Sequence, residues 1–123
     1  MKFVLDNSSG GYVIQRYDVG EIIIEETSYR KSLILLPDRV IEDWSPSSFS
    51  ELGVDDFHQL VELGPEIVLL GTGREQCFPH PSLSQPLMQQ RIGLEVMDTA
   101  AACRTYNILM AEGRQVAAAL FMI

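Results

Sequence analysis

The fold is decided by two stretches of sequence: residues 65–73, which read PEIVLLGTG, and residues 94–120, which read LEVMDTAAACRTYNILMAEGRQVAAAL. In the first, a continuous apolar run is bounded by Pro65 and Gly71, a pattern typical of a short buried strand. In the second, a short strand at 94–97 leads into a long helical pattern. A buried strand and a following strand–helix–strand pattern predict an α/β arrangement.

The helix of the second stretch has recognisable ends. Asp98 or Thr99 is the expected N-terminal cap, and Gly113 follows Glu112 as the stop signal. The apolar run at 116–121 then predicts a final strand. Because helices connect these strands, we expect parallel pairing with right-handed crossovers.

Two further helices are predicted upstream. Residues 55–63 carry apolar side chains at helical spacing and end at Gly64-Pro65, and residues 84–91 form a second helix with Pro86 in its first turn. Residues 71–83 then form a thirteen-residue loop, which is long enough to be a binding element; the structural alternative is that Phe78 anchors the loop to the core. Residues 47–123 thus give an αβαβαβ portion with a βαβαβ C-terminal half.

The preceding portion, residues 1–46, is rich in β-forming residues. Strands are predicted at 12–17, 21–26, 32–36 and 40–44, with turns at Gly10-Gly11 and at Asp18-Val19-Gly20. Such short connections favour antiparallel pairing. Since 123 residues is an ordinary size for one domain, we expect residues 1–123 to form a single domain.

Composition excludes several classes of protein. The chain is 46% hydrophobic and 21% charged, and it carries 9 basic and 17 acidic residues for a net charge of −8. Thirteen of the acidic residues but only five of the basic ones lie in residues 1–66. Such a charge repels nucleic acid and anionic membranes, and no apolar run is long enough to span a bilayer. With no pattern of a signal peptide, we expect a soluble, cytoplasmic protein that neither binds nucleic acid nor inserts into a membrane.

Cysteine and histidine spacing does not predict a metal site. Cys77 and His80 are three residues apart, and Cys103 or Asp98 could complete a ligand set, but this is only half of a zinc pattern. The simpler explanation is a loop cysteine and a loop histidine between prolines. We expect no metal and no cofactor.

The first candidate binding residues lie where two parallel strands end. Gly71, Thr72 and Gly73 follow one strand, and Asp98 and Thr99 follow the next, so all five should meet at the carboxyl edge of the sheet, where α/β proteins bind ligands. The glycines do not form a dinucleotide-binding motif, because Gln76 stands where the third glycine is required. The structural alternative is a tight strand exit beside a helix cap.

The long helix supplies three more candidates. Cys103 and Asn107 are four residues apart and share a helix face, and Arg104 lies beside them. The alternative is a buried stripe of Ala102, Tyr106, Leu109 and Met110, with Cys103 as a small buried side chain. No residue is assigned a catalytic role. The candidate binding surface is therefore Gly71, Thr72, Gly73, Asp98, Thr99, Cys103, Arg104 and Asn107.

The stretches PEIVLLGTG (65–73) and MDTAAACRTYNILMAEGRQVAAAL (97–120) resemble a family of small bacterial and archaeal domains of unknown function. This family is related to the mitochondrial complex I (NADH:ubiquinone oxidoreductase) assembly factor 3. The resemblance implies a three-layer α/β domain, in which a mixed sheet carries its helices on one side and an antiparallel β portion is added.

The same resemblance implies a function. No enzymatic activity is established for the bacterial members, and the mitochondrial relative resembles a non-catalytic helper in building a respiratory complex. We therefore expect a protein-binding, assembly-factor-like module with an unidentified protein partner. The alternative is a small-molecule-binding domain or an enzyme that uses the carboxyl edge near Gly71–Gly73 and Asp98–Thr99.

Overall fold

The structure is a computed structural model that describes residues 11–123. Every strand and helix predicted from the sequence is present, with shifted ends. Residues 1–10 of the predicted β-rich portion, including Gly10 of the predicted turn, lie outside the described residues. The strands are β1 (Ile14–Asp18), β2 (Glu21–Ile24), β3 (Thr27–Tyr29), β4 (Leu33–Leu36), β5 (Arg39–Ile41), β6 (Ile67–Gly71), β7 (Gly93–Met97) and β8 (Val116–Leu120); the helices are α1 (Val54–Glu62), α2 (Pro81–Gln89) and α3 (Thr99–Ala111).

The strands form two sheets. The main sheet has five strands in the order β5-β4-β8-β6-β7, and the small sheet has the order β1-β2-β3. In the main sheet β6 is parallel to both β7 and β8, as predicted, whereas β4 is antiparallel to β5 and β8. The main sheet is therefore mixed, and the small sheet is antiparallel throughout.

Two strands predicted in the β-rich portion belong to the main sheet. β4 reads LILL and is buried along its whole length, because it lies between β5 and β8 with packed layers on both faces. Only β1, β2 and β3 form the separate antiparallel sheet. β3 was not predicted, since Thr27–Tyr29 is three residues long and has no apolar alternation.

The main sheet has a core on each face. Leu33, Leu35 and Leu69 face α3 and the small sheet, whereas Ile34 and Leu70 face α1 and α2. The three layers are therefore α1 with α2, the main sheet, and α3 with the small sheet. The expectation of three layers is confirmed, but the expectation that all helices lie on one side is wrong.

The order of the strands explains why the helices lie on both faces. The chain passes from β6 to β7 in one direction along the sheet and then returns past β6 to β8 in the other direction. Right-handed crossovers in opposite directions place their helices on opposite faces. The β6–α2–β7 and β7–α3–β8 units do so.

Helix α2 begins three residues earlier than predicted. Pro81 is its first residue, a position where a proline costs nothing because its missing N–H would have no helical partner. The ring nitrogen Nδ1 of His80 accepts a hydrogen bond from the backbone N–H of Ser82 at 3.1 Å and caps the helix. Pro86 is therefore inside the helix rather than in its first turn, and the preceding loop is 72–80 rather than 71–83.

No helix in the part of the chain from residue 11 onward has both the length and the apolar character needed to cross a membrane.

Gly71, the last residue of β6, allows α3 to start very close to the sheet. A Cβ atom at this position would lie 2.9 Å from Leu120 Cδ2, 3.0 Å from Thr99 Oγ1 and 3.1 Å from Ala102 Cβ. These distances are too short for carbon contacts, and the neighbouring atoms are themselves buried. The glycine is therefore required by close packing between β6, β8 and α3.

We predict that Gly71→Ala lowers the free energy of unfolding by about 1–3 kcal/mol, because the added methyl group overpacks this junction. Gly93→Ala in β7 is the matched control, since a Cβ there meets its nearest atom at 3.6 Å. Urea unfolding followed by circular dichroism measures both. Equal stabilities of the two variants would contradict this account of the junction.

Candidate functional site at the carboxyl edge of the sheet

The structure places the ends of β6 and β7 side by side. Gly71 is paired with Met97 in the parallel ladder. Beyond it, the Thr72 N–H donates to the Met97 carbonyl at 2.9 Å, and the Thr99 N–H donates to the Gly73 carbonyl at 2.9 Å. The two predicted turns are therefore neighbours, and backbone hydrogen bonds connect them directly.

The hydroxyl of Thr99 connects three segments at this edge. Its Oγ1 accepts a hydrogen bond from the Gly73 N–H at 2.7 Å and donates one to the Phe121 carbonyl at 2.7 Å. Thr99 is completely buried. One side chain of α3 thus connects the loop after β6 to the residue after β8. Its hydroxyl donates and accepts hydrogen bonds with backbone groups of the chain itself.

Thr72 is occupied in the same way. Its Oγ1 lies 2.6 Å from the Glu75 carbonyl and 3.2 Å from the Met97 carbonyl, and it accepts the Cys77 N–H at 3.2 Å. These hydrogen bonds fold the start of the 72–80 loop back on β7. The threonine side chains of the predicted surface therefore stabilise the edge of the sheet.

Asp98 is the N-cap of α3. Its Oδ1 accepts the Ala101 N–H at 2.8 Å. The carboxylate also interacts favourably with the positive end of the helix dipole. Asp98 therefore fixes the position at which α3 begins, which in turn fixes Thr99.

Cys103, Arg104 and Asn107 lie farther along α3, against β1. The Asn107 amide makes two hydrogen bonds with the backbone of Ile14: Oδ1 accepts its N–H at 2.9 Å, and Nδ2 donates to its carbonyl at 2.8 Å. Arg104 donates to the Tyr17 hydroxyl at 2.7 Å. These three residues and β1 line a cavity of about 140 Å³.

This arrangement divides the predicted surface into two groups. Gly71–Gly73, Asp98 and Thr99 join α3 to the main sheet. Cys103, Arg104 and Asn107 lie against the small sheet, to which Arg104 and Asn107 are hydrogen-bonded. The predicted buried stripe is present too, and the Tyr106 hydroxyl at its centre donates to the Tyr12 carbonyl at 2.8 Å. Both groups hold layers of the fold together.

The thiol of Cys103 is held in its protonated form. Cys103 is 1% exposed, and burial raises its pKa to about 12, with the positive charge of Arg104 acting in the opposite direction. A protonated thiol is neither a nucleophile nor a metal ligand. Among residues 11–123 no group of three His, Cys, Asp or Glu side chains is arranged to hold a metal ion.

An uncharged surface that was not predicted from the sequence lies on the other side of the main sheet. Phe78 does not anchor its loop to the core, since it is 70% exposed, and Met88 of α2 is 69% exposed. A shallow depression of about 450 Å³ lies on this helix. We call its lining residues the α2 face: Pro81, Ser82, Gln85, Met88 and Gln89.

A signal for the α2 face was present in the sequence. Residues 76–90, QCFPHPSLSQPLMQQ, contain no Asp, Glu, Lys or Arg, in a chain that is 21% charged. An uncharged segment with an exposed phenylalanine and methionine differs from an ordinary solvated surface. A segment without charged residues could equally be buried, so the sequence alone does not identify it as a surface. The structure shows that much of the segment is exposed.

A second depression, of about 510 Å³, lies between the small sheet and the segment after β5. Its lining includes Arg30, Lys31 and Asp43. Arg30 pairs with Glu21 at 3.5 Å, and Lys31 lies 3.9 Å from Asp43. Charges of both signs therefore compensate one another here, unlike on the α2 face.

We predict that Thr99→Val lowers the free energy of unfolding by about 1–3 kcal/mol, because it leaves the Gly73 N–H and the Phe121 carbonyl buried without a partner. Thr105→Val on the same helix is the control, and we expect it to stay within about 0.5 kcal/mol of wild type. Chemical unfolding of both variants makes the comparison. A Thr99→Val protein as stable as the Thr105→Val protein would refute the structural role of this hydroxyl.

We also predict that iodoacetamide at pH 9 modifies Cys77, which is half-buried, and leaves Cys103 unmodified until the protein unfolds. The unfolded thiol loses its proton near its ordinary pKa of 9.0, whereas folded Cys103 keeps its proton to about 12. The contribution of Cys103 to the free energy of unfolding is therefore fully present below pH 9 and is lost as the pH rises towards 12.

Peptide mass spectrometry with and without urea measures the alkylation of each cysteine. Equal rates of alkylation at the two cysteines in the folded protein would contradict the burial of Cys103.

The sequence of this chain is similar to those of several known proteins. It is 39% identical over 89 residues to the mouse protein NADH dehydrogenase (ubiquinone) 1 alpha subcomplex assembly factor 3, which covers 71% of this chain and 48% of that protein. The chain thus spans about half the length of this curated relative. It is also 27% identical over 103 residues to the 13 kDa major membrane protein of Francisella tularensis, covering 83% of this chain and 84% of that protein.

A solved structure shares the fold. A protein from Bordetella parapertussis superposes with a TM-score of 0.86 and 34% sequence identity, covering 92% of this chain and 97% of the other. The predicted fold class and the resemblance proposed from the sequence are therefore confirmed. Since the family profile described as protein of unknown function (DUF498/DUF598) matches residues 14–121, this chain belongs to that family.

Proposed function

We propose that this protein is a protein-binding module that assists the assembly of a multi-subunit enzyme by contact rather than by catalysis. The observation that carries the proposal is the uncharged α2 face with the exposed side chains of Met88 and, in the segment leading into α2, Phe78. Aromatic and methionine side chains are enriched in protein interfaces, and charged ones are depleted at their centres. The α2 face combines both properties.

The polar residues predicted as a small-molecule site offer less support for the alternative. The hydroxyls of Thr72 and Thr99, the amide of Asn107 and the guanidinium of Arg104 all have partners within the chain. A ligand at the carboxyl edge would have to replace the hydrogen bonds of Thr72 and Thr99, and those of Thr99 are buried, so their loss would leave buried groups unpaired. This cost favours binding at a surface whose polar groups are not committed.

The relatives suggest which enzyme is assembled. The mouse relative is named as an assembly factor of NADH dehydrogenase (ubiquinone), and the similarity covers 71% of this chain. We propose that the chain acts on a subunit or an assembly intermediate of the corresponding respiratory enzyme, from the cytoplasm. The net charge of −8 suits a basic partner.

The test is deletion of the gene in the organism that encodes the chain. We predict less assembled NADH dehydrogenase on native gels stained for NADH oxidation, with recovery on expression of the wild-type chain. A Phe78→Ser, Met88→Ser variant should restore less of the enzyme than Ile108→Ser, which changes a 59% exposed apolar residue on α3. A normal amount of assembled enzyme in the deletion strain would contradict the proposed function.

A further inference from the structure

We infer that the partner docks a basic amphipathic helix on the surface formed by α1 and α2 together. This inference rests on the proposed protein-binding function and adds the chemistry of the partner. It is carried by the juxtaposition of an uncharged helix with an exposed methionine and an acidic helix on the same face of the main sheet.

The two helices form one layer. α1 packs beside α2, and both cover the core on their side of the main sheet through Phe57, Leu60 and Leu87. Their other sides face solvent. Packed helices lie about 8–10 Å apart, so a third helix of about 10–12 Å diameter can contact both.

The exposed sides of the two helices differ in character. α2 contributes Met88 within an uncharged surface. α1 contributes the exposed carboxylates of Asp55 and Glu62, and its first residue, Val54, is 40% exposed. The carboxylate of Asp56 already has a partner within the chain, because its Oδ2 accepts the Gly53 N–H at 2.9 Å.

Basic residues are missing from this region of the sequence. Residues 40–73 contain seven acidic residues and no Lys or Arg, and neither α1 nor α2 contains a basic residue other than His58. The carboxylates of α1 therefore have no lysine or arginine on either helix to compensate them. A partner that places apolar side chains on α2 and Lys or Arg side chains beside α1 satisfies both halves of the surface.

A helix supplies that combination from one short segment. Apolar residues at i, i+3, i+4 and i+7 form one stripe, and basic residues at the intervening positions form the neighbouring stripe. Two other occupants fit less well. A second copy of this chain brings another acidic α1 and a net charge of −8, and an anionic membrane repels the same carboxylates.

The experiment uses the full chain and a synthetic helical peptide of about fourteen residues composed of leucine and lysine, carrying a fluorophore. Fluorescence anisotropy measures its binding to the wild type and to variants. We expect Met88→Ser, and separately the pair Asp55→Asn with Glu62→Gln, to weaken binding by about tenfold or more. The charge variant should also reduce the dependence of binding on salt.

Matched controls change residues of similar chemistry elsewhere. Ile108→Ser removes an exposed apolar residue from α3, and Glu26→Gln with Glu112→Gln removes two exposed carboxylates outside the α1–α2 layer. We expect both controls to bind the peptide within about twofold of wild type, since peripheral contacts contribute little. Thermal unfolding of every variant verifies that it is folded.

Several results would overturn the inference. One is equal weakening by the controls and the α1–α2 variants; another is equally tight binding of a peptide in which glutamate replaces lysine. A dimer in sedimentation velocity that Met88→Ser abolishes would assign the surface to a second copy, and Met88-dependent binding to vesicles of phosphatidylglycerol would assign it to a membrane. A failed peptide experiment alongside an assembly defect in the deletion strain would remove only this partner chemistry, whereas a deletion strain without a defect would remove the proposed function itself.

Discussion

The rest of the structure depends on the buried hydroxyl of Thr99. It joins the loop after β6, through the Gly73 N–H, to the end of β8, through the Phe121 carbonyl, while its own backbone N–H is bound by the Gly73 carbonyl. The absence of a side chain at Gly71 allows α3 to come close enough for this contact. Asp98 is the N-cap immediately before Thr99, and by fixing the first turn of α3 it fixes the position of Thr99 relative to the sheet. From this fixed start, α3 carries Asn107 to the backbone of β1 and attaches the small sheet.

Much of the fold could be predicted because its signals are local. The run of apolar residues in β6, the Asp98 cap and the Gly113 stop each act within a few residues, and they placed the parallel strands and α3 correctly. Local signals say nothing about the face on which a helix packs. That choice follows from the strand order, with β8 on one side of β6 and β7 on the other, and the order depends on long-range pairing. The start of α2 was predicted three residues too late, because Pro81 was assigned to the loop and Pro86 to the first helical turn. A proline is compatible with either position.

The candidate site shows a similar division. Adjacent strand ends correctly predicted that Gly71 and Asp98 are neighbours, but a sequence does not say whether a polar side chain faces a ligand or another part of the chain. At this edge Thr99 bonds to backbone groups that would otherwise be buried and unpaired, and Thr72 bonds to the backbone of the loop that follows it. The exposed α2 face could not be found by looking for reactive or charged residues, because its distinguishing property is the absence of charge. We therefore propose that the polar residues at this edge and along α3 hold the layers together. The partner-binding surface is formed by the uncharged helix α2 and the acidic helix α1.

Native-state hydrogen exchange of the Gly73 and Thr99 amides tests this account most directly. Both N–H groups are hydrogen-bonded at the edge that Thr99 holds closed. If that edge is a fixed part of the fold, these amides exchange only when the whole protein unfolds, with the same free energy as the amides of Leu69 and Leu70 in the middle of β6. Rapid exchange of Gly73 and Thr99 while the middle of β6 stays protected would show that the edge opens on its own, and would contradict the claim that its polar groups serve the fold.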